Sequence, residues 1–340
     1  MTRVFSGIKP SGEMQLGNYV GAVRRWVEAQ PPAGSAAAAA HESIYCVVDL
    51  HAMTVIYDPD DLRKRTREVA TLLFAAGLDP QRSLVFVQSH VGAHAECTWI
   101  LNCVATFGEL RRMIQFKEKS EGQESVTAGL FDYPVLMASD ILLYDTDEVP
   151  VGDDQRQHVE LTRDIALRFN HRFGETFVVP KATFSEVGAR IMDLQQPTAK
   201  MSKSTDSPQG TVLVLDAPEV IVKKVRSAVT DSGSEVRYDP EEKPGVSNLL
   251  DLYAAATATT RDDAVAQFVG SGYGALKSAV ADAVVEYLRP VRERYDELSR
   301  DPDAVDAMLA VGADAAAEIA NGVLERVYEA AGLLRIPRPR

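Results

Sequence analysis

Two lysines and two serines occupy five consecutive positions in the segment Lys200-Met201-Ser202-Lys203-Ser204. Proline, glycine and short polar side chains flank this segment on both sides, which indicates a surface loop. Ammonium groups on such a loop can stabilise the negative charge that grows on a pyrophosphate leaving group. A solvated loop without function explains a match of five residues equally well. The phosphate interpretation therefore requires a second site elsewhere in the chain.

The segment from Pro10 to Asn18 is a candidate for that second site. It follows the first apolar run and opens a helical pattern, so its backbone N–H groups would lie at a helix N-terminus, where phosphates bind. Gly17 would leave a bare face for an adenine ring. Taken alone, the segment is an ordinary glycine-containing turn between a strand and a helix.

Four short apolar runs predict the strands that must position these segments. They are residues 2–6, 43–48, 83–87 and 148–151. Continuous apolar runs are typical of strands that are covered on both faces, as in a parallel sheet. Helical patterns separate the runs; one begins at the cap Asp58-Pro59 and is expected to end at Ala76, before Gly77. We therefore predict an α/β fold with a doubly wound, Rossmann-like parallel sheet, whose ligands bind beyond the carboxyl ends of the strands.

The pattern changes near residue 210, where strand-like runs give way to helical ones. Helices are predicted at about residues 218–229, 248–257, 262–269, 276–300 and 303–332. We predict a catalytic domain over residues 1–210, which includes the lysine-rich loop, and a helical domain over residues 211–340. Whether the last helix packs back on the catalytic domain stays open.

Composition limits the class of protein. With 340 residues, 46% hydrophobic and 25% charged, the chain is expected to form two soluble domains, without a signal peptide and in the cytoplasm. A net charge of −13 argues against sequence-blind binding to nucleic acid but permits local basic patches. We expect Cys46, Cys97 and Cys103 to be buried thiols, and His90 and His94 lack the third ligand of a zinc site.

The two candidate nucleotide segments resemble the signature motifs of class I aminoacyl-tRNA synthetases, His-Ile-Gly-His and Lys-Met-Ser-Lys-Ser, the second letter for letter. The similarity to bacterial tryptophanyl-tRNA synthetases covers essentially the whole chain. It rests on residues 5–12, 16–19, 49–54, 108–110, 115–119, 151–155, 228–232 and 245–250. Tyrosyl enzymes are the alternative within the superfamily, but they usually carry Gly-Gly-Ser-Asp-Gln where residues 151–155 stand, and often an extra RNA-binding module.

The resemblance implies ATP-dependent activation of tryptophan and its transfer to tRNA. It implies a homodimer whose contacts lie in the catalytic domain, and Mg²⁺ that arrives with ATP, with no metal held by the protein. The implied ATP site comprises Lys9, Pro10, Ser11, Gly17, Asn18, Gly152, Asp153, Asp154, Lys200, Met201, Ser202 and Lys203. The implied catalytic residues are Gln15, Asn18, Lys119, Lys200 and Lys203. The implied tryptophan site comprises Phe5, Gly7, His51, Tyr133, Met137, Asp140 and Gln155, in which Tyr133 and Gln155 hold the amino group.

The apolar segment from Tyr133 to Asp140 fits an indole substrate. Met137 and Asp140 are three residues apart, hence on one face if the segment is helical. A thioether is a good wall for a flat ring, and a carboxylate can accept the indole N–H. An aspartate that caps a helix or forms an ion pair is the alternative, which would be preferred without the resemblance.

Two positions depart from the resembled pattern. Lys9 stands where most tryptophanyl enzymes have glutamine, and Gln15 where threonine or histidine is usual. We expect activity to survive and the binding of tryptophan-mimicking inhibitors to weaken, as in an auxiliary, inhibitor-tolerant synthetase. A synthetase-like paralogue that only binds its ligands is a further alternative, although both signature lysines are present. Lys223, Lys224 and Arg226 are candidate tRNA contacts, or else a solvated helix face.

Overall fold

The computed structural model describes residues 2–32, 41–122, 125–152, 155–184, 191–201 and 208–334. Its sheet has five parallel strands in the order β3-β2-β1-β4-β5. They are β1 (Thr2–Ile8), β2 (His41–Val47), β3 (Leu84–Val87), β4 (Glu148–Val151) and β5 (Lys181–Phe184). The predicted doubly wound parallel sheet is confirmed. The sequence patterns did not predict β5, an edge strand of four residues in which Lys181 and Phe184 are exposed.

Helices separate consecutive strands of this sheet along the chain. In chain order they are α1 (Leu16–Asn18), α2 (Arg24–Ala29), α3 (Asp49–Ala52), α4 (Pro59–Ala75), α5 (Ala93–Asn102), α6 (Phe107–Arg112), α7 (Ile114–Ser120), α8 (Ala128–Leu142) and α9 (Arg156–Phe173). Between α1 and α2, Tyr19–Val23 forms a π-helical turn. The wider turn interrupts the regular helix just after the first nucleotide motif, and such turns are frequent at functional sites.

Local capping explains where α4 begins and ends. The carboxylate of Asp58 accepts the backbone N–H groups of Asp60 and Asp61 at 3.0 and 2.9 Å, and Pro59 supplies a first residue that needs no N–H partner. Gly77 has a φ of +111°, which favours glycine, at the turn that follows the helix. The predicted start and stop signals of this helix are confirmed.

The two faces of the sheet bury different clusters of side chains. Tyr45 and Val47 on β2 belong to one hydrophobic core, whereas Ile44 and Cys46 belong to the other. Side chains alternate between the faces of a strand, so an unbroken apolar run serves both cores. The expectation for the cysteines is wrong for Cys103, which is exposed, while Cys46 and Cys97 are buried.

The elements after residue 210, which belong to what is called the helical region below (residues 211–334), are the helices α10 (Pro218–Arg226), α11 (Pro244–Thr257), α12 (Arg261–Phe268), α13 (Tyr273–Ser299) and α14 (Pro302–Ala331). Helix α14 packs closely against β3 of the sheet. A Cβ atom at Gly312 would lie only 2.0 Å from the carbonyl oxygen of Val85, so this close approach requires glycine. The Tyr328 hydroxyl also donates to Glu96 on α5 at 2.6 Å. The division at residue 210 stays a prediction.

Helix α14 is long and apolar enough, by length and composition alone, to pass as a membrane span. Of its most apolar stretch of 18 residues, 39% is buried inside the protein. A core helix passes the same test, so this property is weak evidence for a membrane. Its buried face, which includes Ala316 and Ala320, packs into one of the two cores.

Candidate active site

A cavity of about 420 Å³ lies at the carboxyl ends of β1 and β4. The chain proceeds from β1 to β2 and β3 on one side of the sheet and to β4 and β5 on the other, so the strand order reverses between β1 and β4. In open α/β sheets, ligands bind in the crevice at this switch point. The cavity is lined by side chains from β1, β4, α3, α7 and α8, together with Ala22 and Trp26.

Asp140 is the carboxylate of this cavity, and it is only 1% exposed. Its Oδ1 accepts the amide of Gln88 at 2.6 Å and lies 2.7 Å from Nδ1 of His94. Its Oδ2 lies 2.8 Å from Nε2 of His51. The helical segment from Tyr133 to Asp140 is part of α8, as the spacing of Met137 and Asp140 required. Asp140 therefore lines the cavity, as a substrate-binding residue must, and it also pairs with two histidines, as the alternative interpretation required.

These hydrogen bonds determine the charge of Asp140. Burial by itself raises the pKa of its carboxyl group, but the hydrogen bonds from His51 and His94 outweigh burial and hold the pKa below the ordinary 3.8. The Nε2 atom of His94 lies 2.8 Å from the hydroxyl of Tyr144, which can donate to it while Nδ1–H donates to Asp140. The site therefore holds an ionised carboxylate at neutral pH.

Tyr133 lies beside this carboxylate and forms a polar network of its own. Its hydroxyl donates to the Gln115 side-chain oxygen at 3.2 Å and lies 3.0 Å from Nε2 of His158. Burial, and after it the charge of Glu118, raises the pKa of Tyr133 to about 12. The phenol is therefore neutral at physiological pH and can exchange hydrogen bonds with a polar group in the cavity.

Two ammonium groups give the cavity a positive wall. Lys9 follows β1, and Lys119 on α7 lies with its Nζ 4.9 Å from the ring centroid of Tyr133. Burial, and after it the charge of Lys119, lowers the pKa of Lys9. The two positive charges repel each other, and burial adds a cost to the charge of Lys9. An anion bound between them would stabilise both charges. The cavity is therefore suited to a ligand with an anionic part and an apolar part.

The two nucleotide motifs meet beside Gly17. A side chain at Gly17 would place its Cβ 3.6 Å from the Cβ of Ile191 and 3.7 Å from the Cβ of Met201. Met201 is only 1% exposed, so this part of the lysine-rich loop is anchored rather than solvated. The side of Gly17 predicted to lie bare for adenine is covered here by these two residues. Gln15 is buried, and its side-chain oxygen has no hydrogen-bond partner among the described residues.

The structure brings together about half of the predicted site residues. Those that line the cavity are Phe5, Gly7, Lys9, His51, Lys119, Tyr133, Met137, Asp140, Gly152 and Gln155. Those that lie outside its lining are Pro10, Ser11, Gln15, Gly17, Asn18, Lys200 and Met201. Four predicted residues, Asp153, Asp154, Ser202 and Lys203, are outside the described residues. The roles of all these residues stay predictions.

Several residues of the site escaped the sequence analysis. Gln88 and His94 bind Asp140 from the end of β3 and from α5, and Gln115 and Trp26 line the cavity. Gln88 did carry a signal, because it is a polar residue directly after an apolar strand. His94 carried none, since its place at i+4 from His90 suggested only an incomplete metal site.

No group of three or more His, Cys, Asp or Glu side chains that could hold a metal ion occurs within residues 2–32, 41–122, 125–152, 155–184, 191–201 and 208–334. His94 is committed to Asp140 and Tyr144. The described part of the cavity thus offers cations and hydrogen-bond donors to an anion, rather than a carboxylate cluster to a metal.

Known proteins resemble this chain in both sequence and fold. Residues 1–289 match the family described as class I tRNA synthetases for W and Y. The chain is 55% identical to tryptophan–tRNA ligase 1 of Streptomyces coelicolor, with 98% of each chain covered, and 51% identical to tryptophan–tRNA ligase of Caldanaerobacter subterraneus, covering 98% of this chain and 99% of the relative. Its fold matches tryptophanyl-tRNA synthetase from Mycoplasma pneumoniae, with a TM-score of 0.85, 35% identity and 98% of each chain covered. The enzyme from Campylobacter jejuni, complexed with ADP and tryptophan, matches with a TM-score of 0.83 and 35% identity, over 98% of this chain and all of that one.

Proposed function

Because this chain belongs to the class I tRNA synthetase family for tryptophan and tyrosine, we propose that it is a cytoplasmic tryptophan–tRNA ligase. It activates L-tryptophan with ATP to tryptophanyl-adenylate and transfers the acyl group to tRNA. Relatives that are 49–55% identical to this chain, over almost their whole length, carry the name tryptophan–tRNA ligase.

The observation that carries the choice of tryptophan is the buried, ionised Asp140. Two side chains, Gln88 and His94, bind its Oδ1, whereas His51 alone binds its Oδ2 in the described structure. A carboxylate oxygen has two acceptor sites, so Oδ2 can take one more N–H from the cavity. An indole ring offers one such N–H and is otherwise apolar. Tyrosine would instead bring a hydroxyl, which is able to donate to the same carboxylate but is carried on a smaller ring.

The remaining groups of the substrate are proposed to bind polar side chains of the same cavity. Tyr133 and Gln155, which line the cavity, are proposed to accept hydrogen bonds from the α-ammonium group, as the family resemblance implies. Lys9 and Lys119 supply positive charge for the carboxylate and the α-phosphate. The carboxylate then attacks the α-phosphorus in line, and no protein nucleophile is required. Catalysis consists of positioning and charge stabilisation.

The lysine-rich loop acts on the leaving group. Lys200 and Lys203 are proposed to stabilise the pyrophosphate as its charge grows, and Mg²⁺ is proposed to arrive with ATP. Met201 and Gly17 are adjacent, so the start of the loop lies against the segment that is proposed to receive the nucleotide. The proposal therefore requires the two motifs to act on one ligand.

Tryptophan-dependent exchange of labelled pyrophosphate into ATP tests the function. Exchange is expected with tryptophan and not with tyrosine, followed by acylation of tRNA when it is added. Exchange with tyrosine alone would contradict the choice of substrate. Tight binding of tryptophan without exchange would favour the binding-protein alternative.

A homodimer is proposed on the basis of an apolar surface beside the cavity. Met53 and Trp99 line a groove that shares Thr54 and Tyr133 with the cavity, and Trp99 is 73% exposed. Further large apolar side chains are exposed on the neighbouring helices: Phe107 at 69% and Ile114 at 58%. Large exposed apolar patches mark interaction sites. A second copy of the chain is the proposed partner, and sedimentation equilibrium measures its presence directly.

Binding of tRNA is proposed to use local basic patches on this acidic protein. The predicted patch is wrong for Lys224, which is buried and pairs with Asp216 at 2.7 Å. Lys223 and Arg226 remain exposed at the end of α10.

Charge reversal of Lys223 and Arg226 is expected to weaken tRNA binding and leave tryptophan activation unchanged. If each of the two side chains binds one phosphate, the reversal should flatten the slope of log affinity against log salt by about 1.4 to 1.8, because each ion pair with a phosphate contributes about 0.7 to 0.9. Filter binding over a salt series measures this slope. The same reversal at Arg63 and Lys64 on α4 is the control, and an unaltered slope in the α10 variant would indicate a solvated helix face.

Lys9→Gln is expected to increase sensitivity to a tryptophan-mimicking inhibitor such as indolmycin. Lys9 places a partly buried cation in the cavity. An inhibitor depends on ground-state contacts, whereas the substrate reaction recovers energy in the transition state, so the cation penalises the inhibitor more. We expect the ratio of inhibitor Ki to tryptophan KM to fall by about tenfold, equivalent to about 1.4 kcal/mol. Lys117→Gln, on the exposed face of α7, is the control; equal ratios in Lys9→Gln and the parent protein would make Lys9 a neutral substitution.

A further inference from the structure

The start of the lysine-rich loop folds back on itself as a narrow hairpin. Lys200 pairs with Met192 in an isolated antiparallel bridge. The backbone N–H of Asp193 donates to Ala199 at 2.9 Å, and that of Met201 donates to Ile191 at 3.2 Å. Residues 191–201, called the loop-base hairpin below, therefore fix the backbone of Lys200 through its partner Met192.

One side chain of the helical region holds both polar groups of Met192. Asn248 lies on α11 and is 2% exposed. Its Oδ1 accepts the Met192 N–H at 2.8 Å, and its Nδ2 donates to the Met192 carbonyl at 2.9 Å. A neutral amide is the side chain that offers one acceptor and one donor in this arrangement. Asn248 thus pairs with Met192 as a neighbouring strand would.

Two more hydrogen bonds attach the loop-base hairpin to the same helical region. The Leu194 carbonyl accepts the N–H of Val229 at 2.8 Å, and the Gln195 amide donates to the Ser227 carbonyl at 3.0 Å. On the other side, Ile191 and Met201 contact Gly17 in the first nucleotide motif. The hairpin therefore lies between the helical region and that motif.

We propose that Asn248 is a positioning residue, which sets the place of Lys200 according to the place of the helical region. The inference rests on the proposed function, because Lys200 is assigned to the pyrophosphate there. A movement of α11 carries Met192 with it, and the bridge carries Lys200. The helical region, which is proposed to bind tRNA, is thereby linked to the chemistry of activation without contact with ATP or tryptophan.

The test combines Asn248→Asp with Lys200→Ala. Asn248→Asp keeps the acceptor for the Met192 N–H but sets an oxygen against the Met192 carbonyl. We expect kcat for pyrophosphate exchange to fall by about tenfold or more and the KM for ATP to rise, with the Kd for tryptophan unchanged. In the Lys200→Ala background the same change should cost less than about threefold, because the positioned group is absent.

Asn170→Asp is the matched control. The Asn170 amide also binds both backbone groups of one residue: its Oδ1 accepts the N–H of Phe177 at 2.9 Å, and its Nδ2 donates to the Phe177 carbonyl at 2.8 Å. Asn170 does not line the cavity. This variant is expected to lose thermal stability while keeping kcat and the KM for ATP. Rates are divided by the concentration of tryptophan-binding sites measured by equilibrium dialysis. Unfolded protein in the sample then does not lower the apparent kcat.

Asn248→Ala is the second variant. It removes both hydrogen bonds to Met192, and it decides the question if Asn248→Asp does not fold. Additive losses with Lys200→Ala, or a normal kcat in folded Asn248→Ala, would overturn the positioning role. A parent protein that shows no tryptophan-dependent exchange would instead refute the proposed function itself.

Discussion

Asp140→Asn is expected to lower kcat/KM for tryptophan by about a hundredfold and to reduce the preference for tryptophan over ring analogues that lack the N–H. Asparagine keeps the volume of the side chain and one oxygen for Gln88 and His94. Its NH₂ group then replaces Oδ2 and faces both His51 and the indole N–H as a donor. A hydrogen bond to a charged group is worth about 1.5 to 3 kcal/mol, and leaving the donor unpaired costs more.

The sharpest substrate pair is tryptophan and its analogue with sulfur in place of the indole nitrogen. A buried polar reader rejects an analogue without its hydrogen-bonding group by roughly 10⁴- to 10⁵-fold, whereas shape alone rejects by roughly 10- to 200-fold. The parent protein should show the larger ratio of kcat/KM and Asp140→Asn the smaller one. Asp251→Asn, at a largely buried aspartate bound to Arg261 at 2.8 Å, is the control. If the ratio of kcat/KM between the two substrates is unchanged in Asp140→Asn, Asp140 does not accept the indole N–H.

The same carboxylate predicts a pH dependence of stability. The pKa of Asp140 is lowered on folding, so its contribution to the free energy of unfolding is fully present above the ordinary value of 3.8 and declines as the pH falls below it. The stability difference between the parent protein and Asp140→Asn should therefore be present near pH 5 and shrink as the pH falls below about 4. Denaturant unfolding at several pH values measures this difference.

Lys203→Ala is expected to slow tryptophan activation by about 10²- to 10³-fold in kcat. That factor is typical for the removal of one preorganised group that stabilises charge in a transition state. Lys203 is outside the described residues, but it lies three positions after Lys200, whose backbone the loop-base hairpin fixes. The Kd for tryptophan should hardly change, because the proposed contact forms with the leaving pyrophosphate.

Single-turnover formation of the adenylate separates this step from product release. Lys64→Ala, at an exposed lysine on α4, is the control for the loss of one positive charge. Lys200→Ala should show a loss of the same order. An activation rate in Lys203→Ala within a few-fold of the parent protein would show that the leaving group does not depend on this ammonium.

The sequence alone determined the elements that are defined by local chemistry. Continuous apolar runs predicted four of the five strands because both faces of this sheet are buried, and Asp58 with Pro59 predicted the start of α4 because the cap is made within three residues. The edge strand β5 was missed because it is short and its ends, Lys181 and Phe184, are exposed. The family was also evident, since its two motifs are contiguous stretches of chain.

Only the tertiary structure decided which polar groups share a partner. Asp140 receives hydrogen bonds from the end of β3, from α3 and from α5, and no spacing along the chain encodes this convergence. The same holds for Lys224, whose neighbour in sequence is exposed while it pairs with Asp216, and for Asn248, which reaches Met192 from 56 residues away. Local patterns report which face of an element is buried, whereas the pairing of buried charges and amides depends on how the elements pack, because each buried polar group must find its partner across that packing.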